Sequence, residues 1–373
     1  MKMKMKMKMK MKFFMLATLT ALCFCEARGA GAASAPAGGE WNKVVEAAKK
    51  EGQLRIFGPA GAKLREALSE TFTKNYGISV DYIGASGFQI PSRVGVERRV
   101  GVYGWDIFMA GTTTLFKGLK PQGALDSIEP ALLLPDVKDP KSWRGGELPF
   151  FERERIGLSV LRGAGQYLFI NTKLVRPEEF KSWRDLLNPK WKGKIVIGRD
   201  PRIAGYGNAT FKFFFTDKNL GQGYIRELLK QEPPLLRDDR IAAQWLAQGK
   251  YPICICSDID TIRLIDEGLP ITAIDGRQLK EGTHVTSAYA NISVANRAPH
   301  PNAAKLYANW LLSKEGTTLF SKASGMPAIR LDVPTDHVKP WTIPEANWQI
   351  SNTEEGLAFE EPLGAFLKQV MGE

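Results

Sequence analysis

Hydrophobic residues recur along this chain at two spacings, and the alternation between them lays out short strands and helices. Trp41 to Lys50 puts Val44, Val45 and Ala48 on one helical face, and Leu54 to Phe57 is an apolar run of strand length. Ala62 to Asn75 is amphipathic at helical spacing and ends at Gly77, the residue type that accepts the left-handed turn after a helix. Ile78 to Ile83 predicts a second strand, Ile90 to Val100 a third helix and Trp105 to Met109 a third strand. Strands alternating with helices predict βαβ units and a mostly parallel sheet, hence an α/β fold. The three strands run into small residues: Gly58-Pro59-Ala60-Gly61, Gly84-Ala85-Ser86-Gly87 and Ala110-Gly111-Thr112-Thr113-Thr114. Such loops expose backbone N–H groups at a helix start, where polar or anionic ligands bind, although small residues also simply make short turns.

Residues 121–150 carry Pro121, Pro130, Pro135, Pro140 and Pro149 and predict irregular covering loops. Two β-rich runs follow, Ile156 to Leu161 and Gln166 to Asn171, the second read as a strand crossing into another α/β unit. Ala288 to Val294 (AYANISV) would carry the chain back. The second unit opens with Trp183 to Arg202, WRDLLNPKWKGKIVIGRDPR. Trp183, Leu186 and Leu187 share a helical face, Asn188-Pro189 stops it, and Lys194 to Ile197 is a buried strand. Gly198 to Arg202 is then a charged loop at that strand's carboxyl end, where ligands gather in open α/β sheets. A helix from near Gly207 with the Phe211–Phe215 cluster, a helix from Asp238 to Gln248, a strand through Cys254 and Cys256, a helix to Gly268 and a strand from Ile271 to Ile274 complete the unit. After the return, Pro301 opens a long helix to Ser313, Lys314-Glu315-Gly316 begins another, and a last helix runs near Pro362 to Val370.

The first residues change how charge is read. Six lysines alternate with methionine over Met1 to Lys12, the apolar run Phe13 to Phe24 is too short to span a membrane as a mature helix, and Ala30-Gly31-Ala32 has the form of a cleavage site. This is a secretory signal peptide over residues 1–32. Cys23 and Cys25 follow Leu22 and Phe24, where a lipid-anchor motif needs a small residue. Removing seven basic groups and one acidic group lowers the formal charge from +11 to +5. The basic balance therefore belongs mostly to the signal, and a nucleic-acid partner is not expected. Cys254 and Cys256 remain, on one face of a strand with side chains running parallel, and are expected to be buried thiols without a disulfide.

No G-x-S-x-G or phosphate-binding loop occurs, neither thiol has an evident partner base, and the chain is read as a non-enzyme. Three histidines remain, His284, His300 and His337, without metal-ligand spacing, so no metal or other cofactor is expected. Arg199 and Arg202, just ahead of Gly205-Tyr206-Gly207 and a helix start, could hold a carboxylate or phosphate-like group; alternatively one arginine pairs with Asp200 in a solvated loop. Ser257-Asp258 either caps its helix or faces the cleft. Ser86 and Thr112 would supply hydroxyls from the first unit. Tyr289 on the returning strand and Gln166-Tyr167 on the outgoing one would pack the hinge or stack on a ligand.

At WRDLLNPKWKGKIVIGRDPR and at HPNAAKLYANWLLSKEG (300–316) the chain resembles the substrate-binding proteins of bacterial ABC importers, in the group that includes ferric-ion, putrescine and thiamine binders. The resemblance spans roughly residues 41–330. It implies a two-lobed, type II periplasmic-binding-protein fold: lobe 1 from 41–165 and 288–330, lobe 2 from 166–287, and an extension over 331–373. It also implies a periplasmic protein that captures a small solute in the cleft and delivers it to a membrane permease; a monomer is expected, and Ser86, Thr112, Arg199, Arg202, Tyr206, Ser257, Asp258 and Tyr289 are the ligand contacts expected from the loops above. An anionic or zwitterionic solute is favoured. Ferric members bind through adjacent tyrosines after the second of those helices, and Ala323 to Ala328 holds none. Ferric uptake and a secreted α/β enzyme working in the same cleft remain the alternatives.

The exported protein is expected to begin just after Ala32. Its intact mass checks this; a chain retaining Phe13 to Phe24, or a lipid on Cys23, would contradict it.

Overall fold

The computed structural model describes residues 38–372 apart from 86, 88, 166, 167, 204, 205 and 257, and describes 258 and 259 by backbone alone. The predicted signal peptide thus lies outside the described residues. The strands are β1 (Gln53–Gly58), β2 (Ser79–Gly84), β3 (Ile107–Ala110), β4 (Leu125–Asp126), β5 (Leu158–Ser159), β6 (Gly163–Ala164), β7 (Leu168–Asn171), β8 (Ile195–Ile197), β9 (Ile253–Ile255), β10 (Ile271–Ala273), β11 (Val285–Thr286) and β12 (Asn291–Ala295). The helices are α1 (Gly39–Glu51), α2 (Ala62–Tyr76), α3 (Gln89–Arg99), α4 (Pro135–Lys138), α5 (Tyr206–Thr216), α6 (Gly221–Leu229), α7 (Asp239–Ala247), α8 (Asp258–Asp266), α9 (Pro301–Leu312), α10 (Lys314–Ser324), α11 (Glu354–Leu357) and α12 (Glu360–Met371).

A six-stranded sheet runs β2-β1-β3-β12-β4, with β5 also on β12, and a four-stranded sheet runs β10-β7-β9-β8. β2, β1 and β3 are parallel, and β12 enters antiparallel against β3. In the second sheet β8 and β9 are parallel, and β7 is antiparallel to β9 and β10. Each mostly parallel sheet therefore contains one reversed strand that reaches it by a crossing. The crossings pair with one another as β6 against β11, and Ile350 adds a third segment by bridging to Val285.

Both sheets are covered on both faces, as parallel sheets must be. Ile56, Ile107 and Met109 pack under α1, α2, α9 and α10, whereas Phe57, Phe108 and Ala110 face Ile90, Val94 and Leu115 on the other side. In the second sheet Ile195, Ile197, Ile253 and Ile255 meet the aromatic residues of α5 and α6, while Val196, Cys254 and Cys256 meet Ala242, Ala243 and Leu264. The expected buried thiols are corrected here: Cys254 and Cys256 are joined as a disulfide. Cys256 lies just past the end of β9, where the chain is no longer fully extended. The Cα–Cα separation is 5.4 Å, inside the disulfide range, whereas two steps along a regular strand span about 6.6 Å.

The segment 300–316 is shaped by close approaches. Glu51, the last residue of α1, accepts from Asn302 N (3.1 Å) and Ala303 N (2.7 Å), capping α9 from a neighbouring helix. Ser313 ends α9 and its hydroxyl accepts from Gly316 N at 3.4 Å to start α10. A Cβ on Gly316 would lie 2.6 Å from Leu311 Cα, so the two helices meet only with glycine there. His300 sits at the start of α9, where its N–H and Nδ1 lie 2.7 and 2.9 Å from the Asp106 carboxylate. α6 was not anticipated, because its apolar positions run on from the preceding aromatic cluster.

Asn309, fully buried, accepts from Leu133 N (2.7 Å) and Leu134 N (2.9 Å) and donates to Ala131 O (2.7 Å). Asn309→Ala leaves these backbone groups without partners and is expected to destabilise the protein by about 3 kcal/mol or more. Urea unfolding of the mature chain measures this; a loss under about 1 kcal/mol would contradict it.

Candidate functional site

The carboxyl ends of the parallel strands present their loops beside the crossing segments. Tyr82, near the end of β2, donates to Pro59 O at 2.8 Å, and the missing side chain of Gly58 makes room for that phenol. Burial pushes the Tyr82 phenol well up, with Tyr289 adding to the effect, so it stays a protonated donor. After β3, a Cβ on Gly111 would lie 3.2 Å from the carbonyl of Ala288, so this loop rests on the return crossing. Ala288 has φ 45°, a left-handed conformation that costs a non-glycine residue about 1–2 kcal/mol. Its N–H donates to Thr286 Oγ1 at 3.0 Å, and Asn291, held to Ala110 O at 2.8 Å, pins the strand beyond it.

Three hydroxyls on these neighbouring elements and on α5 have no hydrogen-bond partner among the described residues. Thr112 Oγ1 after β3, Ser287 Oγ on the return crossing and Thr210 Oγ1 in α5 are buried and unbonded. A buried hydroxyl without a partner is uncommon because its desolvation is uncompensated. Two residues further along α5, Lys212 is buried with Glu360 Oε1 3.9 Å away. Burial draws its pKa down, and Lys117 adds to this against the pull of Glu360. His284 on the return crossing packs against Phe213, with ring centroids 6.0 Å apart, and fills the space left by Gly165.

The GRDPR loop is divided. Arg199 Nη2 donates to Asp239 Oδ2 at 3.0 Å, and the Tyr206 hydroxyl donates to the other oxygen of Asp239. Gly198 admits the Tyr206 hydroxyl, and Gly207 lets α5 start against the backbone of Arg199. Arg202 instead forks onto buried Asp200 (Nε–Oδ1 3.1 Å, Nη2–Oδ2 2.7 Å) and donates to Gly372 O at 3.0 Å. Arg199 and Tyr206 thus meet through Asp239, Thr112 and Tyr289 are linked through the contact of Gly111 with Ala288, and Arg202 turns away from Arg199. Ser86, Ser257, Gln166 and Tyr167 lie outside the described residues, and Asp258 is placed only as the first residue of α8. Sequence reasoning did not single out Asp239, Ser287, Thr210, Lys212 or Glu360. Their local contexts are ordinary helix and loop, and no spacing marks them.

A model of the bacterial extracellular solute-binding proteins matches residues 67–347, three quarters of the chain. The chain belongs to that family. Solved structures place the same fold around it. An iron- and citrate-bound protein of Trichodesmium has a TM-score of 0.67 and 18% identity, over 86% of this chain and 100% of that one. Iron-bound HitA from Pseudomonas aeruginosa has a TM-score of 0.64 and 17% identity, over 86% of this chain and 99% of its own. AfuA from Actinobacillus pleuropneumoniae, with fructose-6-phosphate bound, has a TM-score of 0.63 and 17% identity, over 86% and 98%. The fold of this solute-binding protein is the two-lobed type II periplasmic-binding-protein fold, as the sequence resemblance implies. Its two separate sheets are linked through the paired crossing segments β6 and β11.

The pKa of His284 is drawn down from 6.5 to about 3 by burial and by the charge of Lys212. Between those values the unfolded chain binds the extra proton and the folded chain does not. Stability from this group is therefore complete above about pH 6.5 and is lost as the pH falls toward 3, by ~1.4 kcal/mol per unit. His284→Asn is expected to flatten that loss, which urea midpoints at pH 7.5 and 4.5 measure; an unchanged slope would contradict it.

Proposed function

We propose that this solute-binding protein captures a small anionic or zwitterionic organic solute between its lobes, as a periplasmic monomer, and passes it to the membrane permease of an ABC importer. The observation that carries the reading is the set of buried, unbonded hydroxyls of Thr112, Ser287 and Thr210, contributed by a lobe 1 loop, the return crossing and a lobe 2 helix. Donors buried without acceptors favour a ligand rich in acceptor oxygens, and Lys212 with only a distant counter-charge favours a negative one. The left-handed Ala288 beside Ser287 supports the same place, since backbone strain is retained where surrounding contacts enforce it.

Arg199 and Tyr206 are the proposed lobe 2 contacts. Arg199 can swing from Asp239 to the solute, whereas Arg202 would first have to exchange the fork it makes with Asp200. Ser86, Ser257, Asp258 and Tyr289 complete the proposed lining. In keeping with the solute-binding family the chain belongs to, the cleft is proposed to bind and release its solute unchanged, with no nucleic acid taking part. Secretion through the predicted signal brings the protein to that compartment.

A second reading has iron entering with an organic anion, as in the iron- and citrate-bound neighbour. Against direct phenolate binding stand the tyrosine-free segment 323–328 and the upward shift of Tyr82.

Native mass spectrometry of protein purified from its own envelope is expected to show one bound organic anion. Calorimetry with that solute should then show roughly tenfold weaker binding for each of Thr112→Val, Ser287→Ala and Arg199→Ala, with unfolding curves as control. Unchanged affinity in all three would move the site elsewhere. One iron per chain with a strong visible tyrosinate band would favour the ferric reading.

A further inference from the structure

The C-terminal segment does not trail from one lobe but runs across both. Arg330 leaves lobe 1 forked onto Asp332 (2.9 Å) and near Asp136 (3.2 Å). The chain then reaches lobe 2, where Pro340 O accepts from Arg277 at 3.2 Å. It passes the crossings where Ile350 bridges to Val285 and Ser351 N donates to Val285 O at 3.0 Å. At α11 it is back on lobe 1: Glu354 N donates to Phe151 O at 3.0 Å, and the Glu354 carboxylate accepts from Arg153 N at 3.3 Å. α12 finally packs on lobe 2, with Leu363, Phe366 and Leu367 in its core and Phe366 5.6 Å from Phe215.

The first turn of α12 faces both lobes at once. Glu360 accepts from Thr113 Oγ1 at 3.1 Å and lies 2.8 Å from Lys117 Nζ, both following β3 in lobe 1. Lys212 Nζ of α5 in lobe 2 lies 3.9 Å from the same carboxylate. A carboxylate is thus shared by two lysines from opposite lobes, one of them buried.

We propose that residues 331–372 form a strap and that Glu360 is its clasp, holding lobe 1 against lobe 2 through Thr113, Lys117 and Lys212. α12 is anchored to lobe 2 by its apolar face, so rotation about the β6–β11 crossing moves Thr113 and Lys117 away from Glu360. Opening breaks two charge-assisted contacts and leaves the Glu360 carboxylate with Lys212 alone. The clasp therefore biases the empty protein toward the closed arrangement, and the strap sets how readily a solute enters and leaves.

The test uses the full mature chain, stripped of solute by unfolding and refolding, so its outcome does not depend on which solute the cleft takes. Small-angle scattering is recorded for the parent, for Glu360→Gln and for Lys117→Met, which removes the lobe 1 end of the clasp while leaving α12 unaltered. Both variants are expected to give a larger radius of gyration, with the opening equilibrium shifted roughly fivefold or more, and faster hydrogen exchange at residues 163–164 and 285–286. Circular dichroism identifies folded variants, and either one suffices. A folded variant whose scattering and exchange match the parent would overturn the proposal.

Discussion

Neither sheet can be completed without a strand that arrives from the other lobe. β12 sits antiparallel between β3 and the pair β4 and β5, and β7 sits antiparallel between β9 and β10. Both strands are buried along their length, and the first sheet closes only after the chain has returned through β11 to supply β12. Asn291 at the start of β12 makes the requirement specific. Its amide donates to Ala110 O at 2.8 Å and its oxygen accepts from Ser159 Oγ at 2.8 Å, so the end of β3, the start of β12 and β5 are fixed together. The crossings β6 and β11 lie immediately outside these strands, and their positions follow from the two cores.

That constraint also explains where the polar groups collect. The loop after β3 is pressed onto the return crossing at Ala288, and α5 of lobe 2 approaches the same crossing through Phe213 and His284. Thr112, Ser287, Thr210 and Lys212 are buried on these elements. An apolar side chain at those positions would be more stable, since buried polar groups lacking partners lose their hydration. Keeping hydroxyls and an ammonium there, beside an alanine in the left-handed region, is the pattern expected where a ligand supplies the missing partners.

The segment beyond Arg330 belongs to the same mechanics. Its apolar residues Leu363, Phe366 and Leu367 are part of the lobe 2 core, while Glu354 and Glu360 reach lobe 1. A hinge of short crossing strands has little rigidity of its own, so a third segment paired at Val285 and charged contacts on either side shape its preferred angle.

Much of the fold was legible because each strand's apolar run, its length and the glycine or proline that ends it act locally. The alternating α/β order and the capping role of Gly77 follow from neighbours within a few residues. The resemblance at 183–202 and 300–316 rests on the same local constraints, such as the glycine at 316 that lets two helices touch. What only the tertiary structure decided concerns partners distant in sequence or matters of degree. Arg199 and Arg202 look alike in GRDPR, yet one meets Asp239, forty residues on, and the other bites Asp200 beside it. Cys254 and Cys256 share a strand face on any reading, and only a Cα separation of 5.4 Å decides that they can join. Lys212 in an aromatic helix and Glu360 near the end of the chain carry no local mark at all. Their meeting with Lys117 is a product of how two lobes and a strap fold together, because charge pairing depends on distance in space and periodicity reports only distance along the chain.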